Sequence, residues 1–515
     1  MDEIELKVSL SEAAETRLRA DRTLAAISRG RPTTRALRTV YFDTPDRVLA
    51  RDGMALRLRK AGRAWVQTVK LGQRIEGGLS QAAEHSCPAP GGRLVLAEIP
   101  EERVRTALLS RVNGAALAPV FETRMSRTTR LFEIGGSVVE MAIDIGEIVA
   151  GDRVDPVREL ELELVEGDPS ALYGLLKRLL PEGGLAFSTR SKAERGMRLA
   201  EGLAEVPASD QPRRSRPIAL AQTHTVETAA QAIFREAFQM ISANIALAAE
   251  GLDPDALKQI RVGLRRLRTG LALFRQALDG PPLTALNEEA RWLAAEVGRV
   301  RDLDVAMTEI VGPEMALSDD PGFGILHRAL ARRRKTEGGA LRETLSGPRV
   351  QAFLIDLVAF TETRLWLRRG DVSQTARLAA PIPGPTAKAI QKRWRKAAAL
   401  AEGIAELDIE ARHELRKALK KLRYAIEFFR PLHDEAEVLP FLKRLKKLQN
   451  IFGDLNDAAM AEALFLSPDA PAARDPQAQR AAGRVIGARL ALAEIAWHDA
   501  QTRWADLVQV PRFWR

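Results

Sequence analysis

Residues 3–8 read Glu3-Ile4-Glu5-Leu6-Lys7-Val8. Charged and apolar side chains alternate without a break. A β-strand here gathers Glu3, Glu5 and Lys7 on one face and Ile4, Leu6 and Val8 on the other. The same period of two recurs at Leu56-Arg57-Leu58-Arg59, at Glu140-Met141-Ala142-Ile143-Asp144 and at Glu159-Leu160-Glu161-Leu162-Glu163-Leu164. Turn material separates these runs: Asp52-Gly53, Gly77-Gly78, Pro88 to Gly92 and Gly135-Gly136. Helical patterns are fewer, at about 11–28, 101–112 and 169–180. An ordinary two-layer protein would turn the charged faces to bulk water. If the strands instead close into a barrel, helices cover the apolar outside and the charges line a wet tunnel.

Further along the chain the pattern changes. A polar stretch from Pro207 to Pro217 reads as a linker, and from about residue 223 the pattern is helical almost throughout. The expected organisation is α+β for residues 1–203, a linker at 204–222 and an all-α domain at 223–515. That last part repeats itself. Lys258-Gln-Ile-Arg261 to Arg268 matches His413-Glu-Leu-Arg416 to Arg423, and Arg301-Asp302-Leu303-Asp304 matches Gly453-Asp454-Leu455-Asn456. Two copies, about 223–375 and 376–515, are too long for solenoid units and fit a duplicated helical bundle.

Composition and charge narrow the function classes. The 515-residue chain has one cysteine, which excludes an intrachain disulfide framework and a cysteine-based zinc finger. No stretch approaches a conventional membrane span, and the acidic start lacks the apolar run of a secretory signal, so a cytoplasmic protein is expected. The net charge is +10; residues 1–205 hold 31 basic and 30 acidic side chains, which leaves +9 to the remainder. That excess points to an anionic partner for the helical part or to a plainly solvated basic surface. There is no Walker-type glycine loop, nucleophile elbow or His-Glu-x-x-His pair.

A tunnel holding both carboxylates and arginines has a definite chemistry. Clustered acids bind hard divalent cations such as Mg²⁺, which keep waters and bridge to phosphates. Arginine forks and lysines grip phosphoryl oxygens. Together they suit a short polyphosphate, with catalysis by positioning and charge neutralisation for in-line attack of water. In the helical half, Lys258, Arg261, Arg265 and Arg268 share one helix sector, and His413, Arg416, Lys420 and Arg423 repeat it. Lys443 and Lys447 are candidate additions. Such stripes read either as solvated helix faces or as a docking surface for a dense polyanion.

Residues 1–200 resemble the CYTH, or triphosphate tunnel metalloenzyme, superfamily. The Glu3-x-Glu5-x-Lys7 signature is followed in family order by Tyr41-Phe42-Asp43-Thr44-Pro45, Arg57-Leu58-Arg59, Lys70, Glu84, Arg127, Glu140 to Asp144, Glu159 to Glu163, and Ser191-Lys192 with Arg195-Gly196. The resemblance implies an eight-stranded antiparallel β tunnel and metal-dependent hydrolysis of inorganic triphosphate with Mg²⁺ or Mn²⁺. It implies Glu3, Glu5, Glu159 and Glu161 as metal ligands, with Glu163 a further candidate. Arg57, Arg59, Lys70, Arg127 and Lys192 would hold phosphates, and Lys7, Lys70, Glu140 and Asp144 would join Glu3 and Glu5 in catalysis. One departure stands out: where relatives carry Arg-x-Glu-x-Glu, this chain has Ala82, Glu84 and Ser86. It leaves a second reading open, a non-catalytic polyphosphate-binding or targeting protein with a weakly active tunnel.

Residues 223–510 resemble the CHAD family of duplicated helical bundles. That resemblance implies inorganic polyphosphate as the ligand of the two basic stripes. The family's leading histidine stands at His413, and Lys258 replaces it in the first copy. Nucleic-acid binding is disfavoured, because aromatics make up only 5% of the chain and few interleave with the basic residues. ATP cyclisation is a minor alternative. Neither the preferred triphosphate nor the oligomeric state is legible.

Overall fold

Strand β1 (Asp2–Leu10) forms where the alternation places it, with Leu6 and Val8 each about 1% exposed on its apolar face. The computed structural model describes residues 2–188, 190–203 and 211–514. Eight strands follow β1: β2 (Ser28–Asp43), β3 (Met54–Ala61), β4 (Ala64–Glu76), β5 (Leu79–Pro88), β6 (Ala118–Ile134), β7 (Ser137–Ala150), β8 (Arg153–Glu166) and the short β9 (Leu185–Phe187). All pairings are antiparallel, in the order β5-β4-β3-β2-β6-β7-β8-β1, and β1 also pairs with β5. That last ladder closes an eight-stranded barrel, and β9 adds to the end of β1.

Local chemistry sets the hairpins. Gly77-Gly78 joins β4 to β5 and Gly135-Gly136 joins β6 to β7, each pair with both φ angles positive. Two-residue turns of that hand match the twist of the flanking strands and exclude most side chains.

Apolar outer faces are covered by helices. Leu56 and Val69 pack with Val104, Leu108 and Val112 of the Glu102–Val112 helix. The Ser170–Leu179 helix buries Leu172, Leu175 and Leu176 completely and lies against β1, β7 and β8. The expected first helix is shorter than its pattern: Glu12–Ala20 ends at Asp21, whose carboxylate accepts from the Thr23 amide and turns the chain. The Lys192–Ala200 helix packs on residues of the barrel's inner face, including Tyr41, Phe121 and Met125. Gly196 makes that approach possible, since a Cβ there would stand 2.1 Å from the Phe121 ring.

The chain packs as two units, residues 1–210 with 346–365, and residues 211–345 with 366–515. Part of the linker expected at 204–222, residues 204–210, lies outside the described residues. The Pro348–Glu362 helix belongs to the first unit, where Asp356 accepts from Lys177 at 2.8 Å. In the second unit each copy contributes four long helices. They are Val226–Gly251, Pro254–Leu278, Pro281–Val305 and Pro321–Ser346, then Pro383–Leu400, Ile409–Phe429, Glu435–Phe465 and Pro476–His498. The repeated basic motif occupies the second helix of each set. No described helix is long and apolar enough to cross a membrane.

Candidate functional site

Barrel closure turns the charged faces inward around a cavity of about 570 Å³. Glu5, Lys7, Arg57, Arg59, Lys70, Arg127, Glu140, Asp144, Glu161 and Lys192 all line it, together with Glu84 and Glu163. Glu159 does not; it is 2% exposed and engaged by Lys192 and by Arg195, the latter at 3.2 Å. The Glu3 backbone pairs with Ala82, while its side chain lies outside the described residues.

One wall is a dense ion-pair network. Lys7 and Glu161 are cross-strand partners of β1 and β8, and Lys7 Nζ lies 2.7 Å from Glu161 Oε1 and 2.9 Å from Glu5 Oε1. Lys192 Nζ lies 2.8 Å from Glu161 and 2.9 Å from Asp144. Arg127 donates Nε and Nη2 to the two Asp144 oxygens at 2.7 and 2.6 Å and also reaches Glu161. Desolvation opposes ionisation of Glu161, but Lys192, Lys7 and Arg127 outweigh it and hold its pKa well below the usual carboxylate value. Against the same desolvation, Glu159, Glu161 and Asp144 hold the Lys192 ammonium well above its ordinary value.

Opposite stands a basic wall. Arg57 Nη2 donates to Glu84 Oε1 at 3.2 Å and Lys70 Nζ lies 2.7 Å from Glu84 Oε2, so one carboxylate serves two cations. Arg59 donates to Thr39 at 3.3 Å and makes no ion pair among the described residues. The neighbouring Arg57 charge, then burial, then Arg127 lower its pKa to about 10. A guanidinium held in that field gains from an arriving anion. Sequence reasoning placed Glu84 only as a landmark; its double service needs three strands in register.

The acids at the other end fit a hard cation. Glu5 faces Glu163 across β1 and β8, and Glu163 faces Glu140 across β8 and β7. Like charges directly opposite destabilise a sheet. Buried Glu5 Oε1 is met by Lys7 Nζ at 2.9 Å, and the Glu140 side chain makes no hydrogen bond or ion pair among the described residues. No three acidic, histidine or cysteine side chains among the described residues form a ready ligand cage. Mg²⁺ does not require one, because it takes one or two carboxylates and fills its sphere with water and substrate phosphates.

In the second unit the two basic stripes meet. Ile260, Leu264, Leu267 and Leu271 are buried, which leaves Lys258, Arg261, Arg265 and Arg268 along the rim of the Pro254–Leu278 helix. Arg265 donates to the Tyr424 hydroxyl on the other copy's helix at 3.5 Å, and Arg261 is held by Asp302 at 2.6 Å. Arg268 donates to Asn287 at 3.2 Å, and Arg423 lies 3.4 Å from Glu427. Lys420 makes no ion pair among the described residues; burial, then Arg265, Arg416, Arg423 and Arg261, lower its pKa to about 7. His413 is lowered by burial and by Arg416 and Lys417. Lys443 and Lys447 are exposed on the Glu435–Phe465 helix and enter no ion pair among the described residues.

Comparison with known proteins divides the chain in the same way. Residues 1–197 match the family description of the CYTH domain, and residues 232–466 match that of the CHAD domain. The inorganic triphosphatase of Haemophilus influenzae is 31% identical over 198 residues, 38% of this chain and 54% of that protein. This chain therefore spans about half the length of that relative. An uncharacterized protein of Mycobacterium tuberculosis is 29% identical over 418 residues, 76% of this chain and 75% of its own length. The crystal structure of the CHAD domain from the plant Ricinus communis aligns with a TM-score of 0.51 at 27% identity, covering 59% of this chain and 98% of that one.

Proposed function

The chain is a CYTH domain followed by a CHAD domain, and from that premise we propose that it hydrolyses inorganic triphosphate in the barrel and binds inorganic polyphosphate along the paired helices. The single observation that carries the reading is the cavity's mixed lining: Glu5, Glu163 and Glu140 occupy adjoining cross-strand positions, and Arg57, Arg59 and Lys70 line another wall. Arg57, Arg59, Lys70, Arg127 and Lys192 would hold the phosphoryl oxygens. Apart from Arg59, their charges are already partly offset by Glu84, Asp144 and Glu161, which keeps them ordered before substrate arrives.

Glu5 and Glu163, with Glu3 carried over from the family pattern, would hold Mg²⁺ or Mn²⁺. When bound, the ion neutralises phosphoryl oxygens and the acids that face it. Glu159 and Glu161 then act chiefly by fixing Lys192 and Lys7. Asp144 orients Arg127, and Glu140, uncommitted at the cavity wall, is placed to orient the attacking water. The reaction would be in-line displacement at a terminal phosphorus, with pyrophosphate leaving.

Metal-dependent phosphate release from triphosphate that collapses in Glu3→Ala and Glu5→Ala supports this reading; wild-type turnover in those variants removes it. The second reading, a polyphosphate-binding protein with a weakly active tunnel, is favoured by β5. Ala82 stands opposite Glu3 with no charge, and Ser86 is spent on a 2.9 Å hydrogen bond with Thr68. Vigorous triphosphate turnover would exclude it.

A further inference from the structure

The tunnel does not end at Arg127. A second cavity of about 410 Å³ shares Leu37, Arg127 and Glu140 with it and is lined further by Arg29, Arg31, Arg35 and Arg130. Period two on β2 produces this. Arg35 shares the inward face with Leu37, Thr39 and Tyr41, and it stands directly opposite Arg127 of β6. Two residues outward, Thr33 and Thr129 share a hydroxyl hydrogen bond of 2.9 Å. Beyond them the register shifts between Arg29 and Thr33, at a bulge containing Gly30 with φ of +79°. Bulges of this kind re-aim side chains at barrel rims.

These arginines are poorly compensated. Among the described residues Arg31, Arg35 and Arg130 enter no ion pair or side-chain hydrogen bond, and Arg130 Nε is buried without an acceptor. Arg29 lies 3.9 Å from Glu133, with both exposed. Arg35 faces a like charge in Arg127, and Arg29, Arg31 and Arg130 line the same cavity, so the arrangement favours an anion spanning it. No aromatic ring lines this cavity, which removes the stacking surface a nucleobase would use.

We propose that this vestibule binds the fourth and later phosphoryl groups of a linear polyphosphate whose end occupies the tunnel. The inference rests on the triphosphate reading of the tunnel and extends it to chain length. Arg127, common to both cavities, joins the two sites.

The test is the ratio of kcat/KM for linear tetraphosphate to that for triphosphate, measured on the full chain and on Arg29→Gln with Arg31→Gln. Both positions are exposed and neither contacts the ion-pair network. Tetraphosphate should lose about tenfold while triphosphate changes by less than about twofold. Equal losses, or none, overturn the proposal. So does the same change of ratio in Arg51→Gln with Arg103→Gln, which removes equal charge elsewhere. If the wild type hydrolyses neither substrate, the tunnel reading fails and binding decides the vestibule. Calorimetric titrations of both anions are then made in a background of Arg265→Gln, Arg416→Gln and Lys420→Gln. Selective loss of tetraphosphate binding in the vestibule variant supports the subsite; unchanged binding overturns it.

Discussion

Lys7 and Glu161 face each other across β1 and β8, with Nζ 2.7 Å from Oε1 and both side chains about 8% exposed. The Glu161 carboxylate also serves Lys192 and Arg127. Removing its charge leaves Lys7 with Glu5, and Lys192 and Arg127 with Asp144, so the cost should fall below the roughly 3–5 kcal/mol of a buried pair broken outright. Glu161→Gln should therefore lower the urea midpoint at pH 7. Because the folded-state pKa of Glu161 is depressed, its contribution is complete above the unfolded value of 4.5 and disappears as pH falls through the lower folded value. The stability gap between wild type and variant should narrow as pH falls below 4.5; a gap that stays constant through the acid range would contradict the assignment.

Glu5 offers a separate handle on catalysis. Its neighbour Lys7 keeps Glu161 when Glu5 is removed, so Glu5→Ala should fold. Phosphate release from triphosphate should drop by about 10²–10³, the scale seen when charge stabilisation is deleted from an active site. Chelator should abolish wild-type release, and Mg²⁺ or Mn²⁺ should restore it. Chelator-resistant turnover would remove the metal from the mechanism.

Gly196 sets the position of Lys192 indirectly. Phe121, which a Cβ would strike, is itself stacked on Tyr41 with centroids 4.4 Å apart, so the ring has little room to yield. Gly196→Ala should cost about 1–3 kcal/mol by overpacking. It should also slow triphosphate turnover, because the helix that carries Lys192 must shift. Unchanged melting temperature and rate together would show that the helix moves freely.

On the proposed reading, Lys420 should make polyphosphate affinity depend on pH near neutrality. Its pKa of about 7 means that the free protein loses this charge as pH rises, while Arg261, Arg265, Arg416 and Arg423 around it stay charged. Affinity should fall on going from pH 6 to pH 8, by at most tenfold per pH unit. Lys420→Met should weaken binding at pH 6 and flatten the profile. Lys420→Arg should flatten it at high affinity. A profile as steep in Lys420→Met as in wild type would place the titrating group elsewhere.

Much of the site was readable from alternation. Glu5, Lys7, Arg57, Arg59, Glu140, Asp144 and Glu161 share inward faces because a strand's period is two, and each lines the cavity. The arginines at 29, 31 and 35 carry the same signal, but Gly30 and Pro32 interrupt it and make the segment read as turn material. The helical stripes were equally visible as a sector, since Leu264 and Leu419 had to face inward.

From the sequence alone come the local periods, the duplicated motif and the glycine pairs at the hairpins, all of which depend on residues a few positions apart. Tertiary structure decided which charges neutralise which. Glu159 turns to Lys192 and Arg195, Glu84 is shared by Arg57 and Lys70, and Glu5, opposite Glu163 in the ladder, pairs with Lys7. Those outcomes follow from ladder register and from the pairing of β1 with β5 and β8. Register across a closed barrel is fixed by packing between segments far apart in sequence, as Leu6 with Leu79 and Glu5 with Glu163, and no local pattern encodes it.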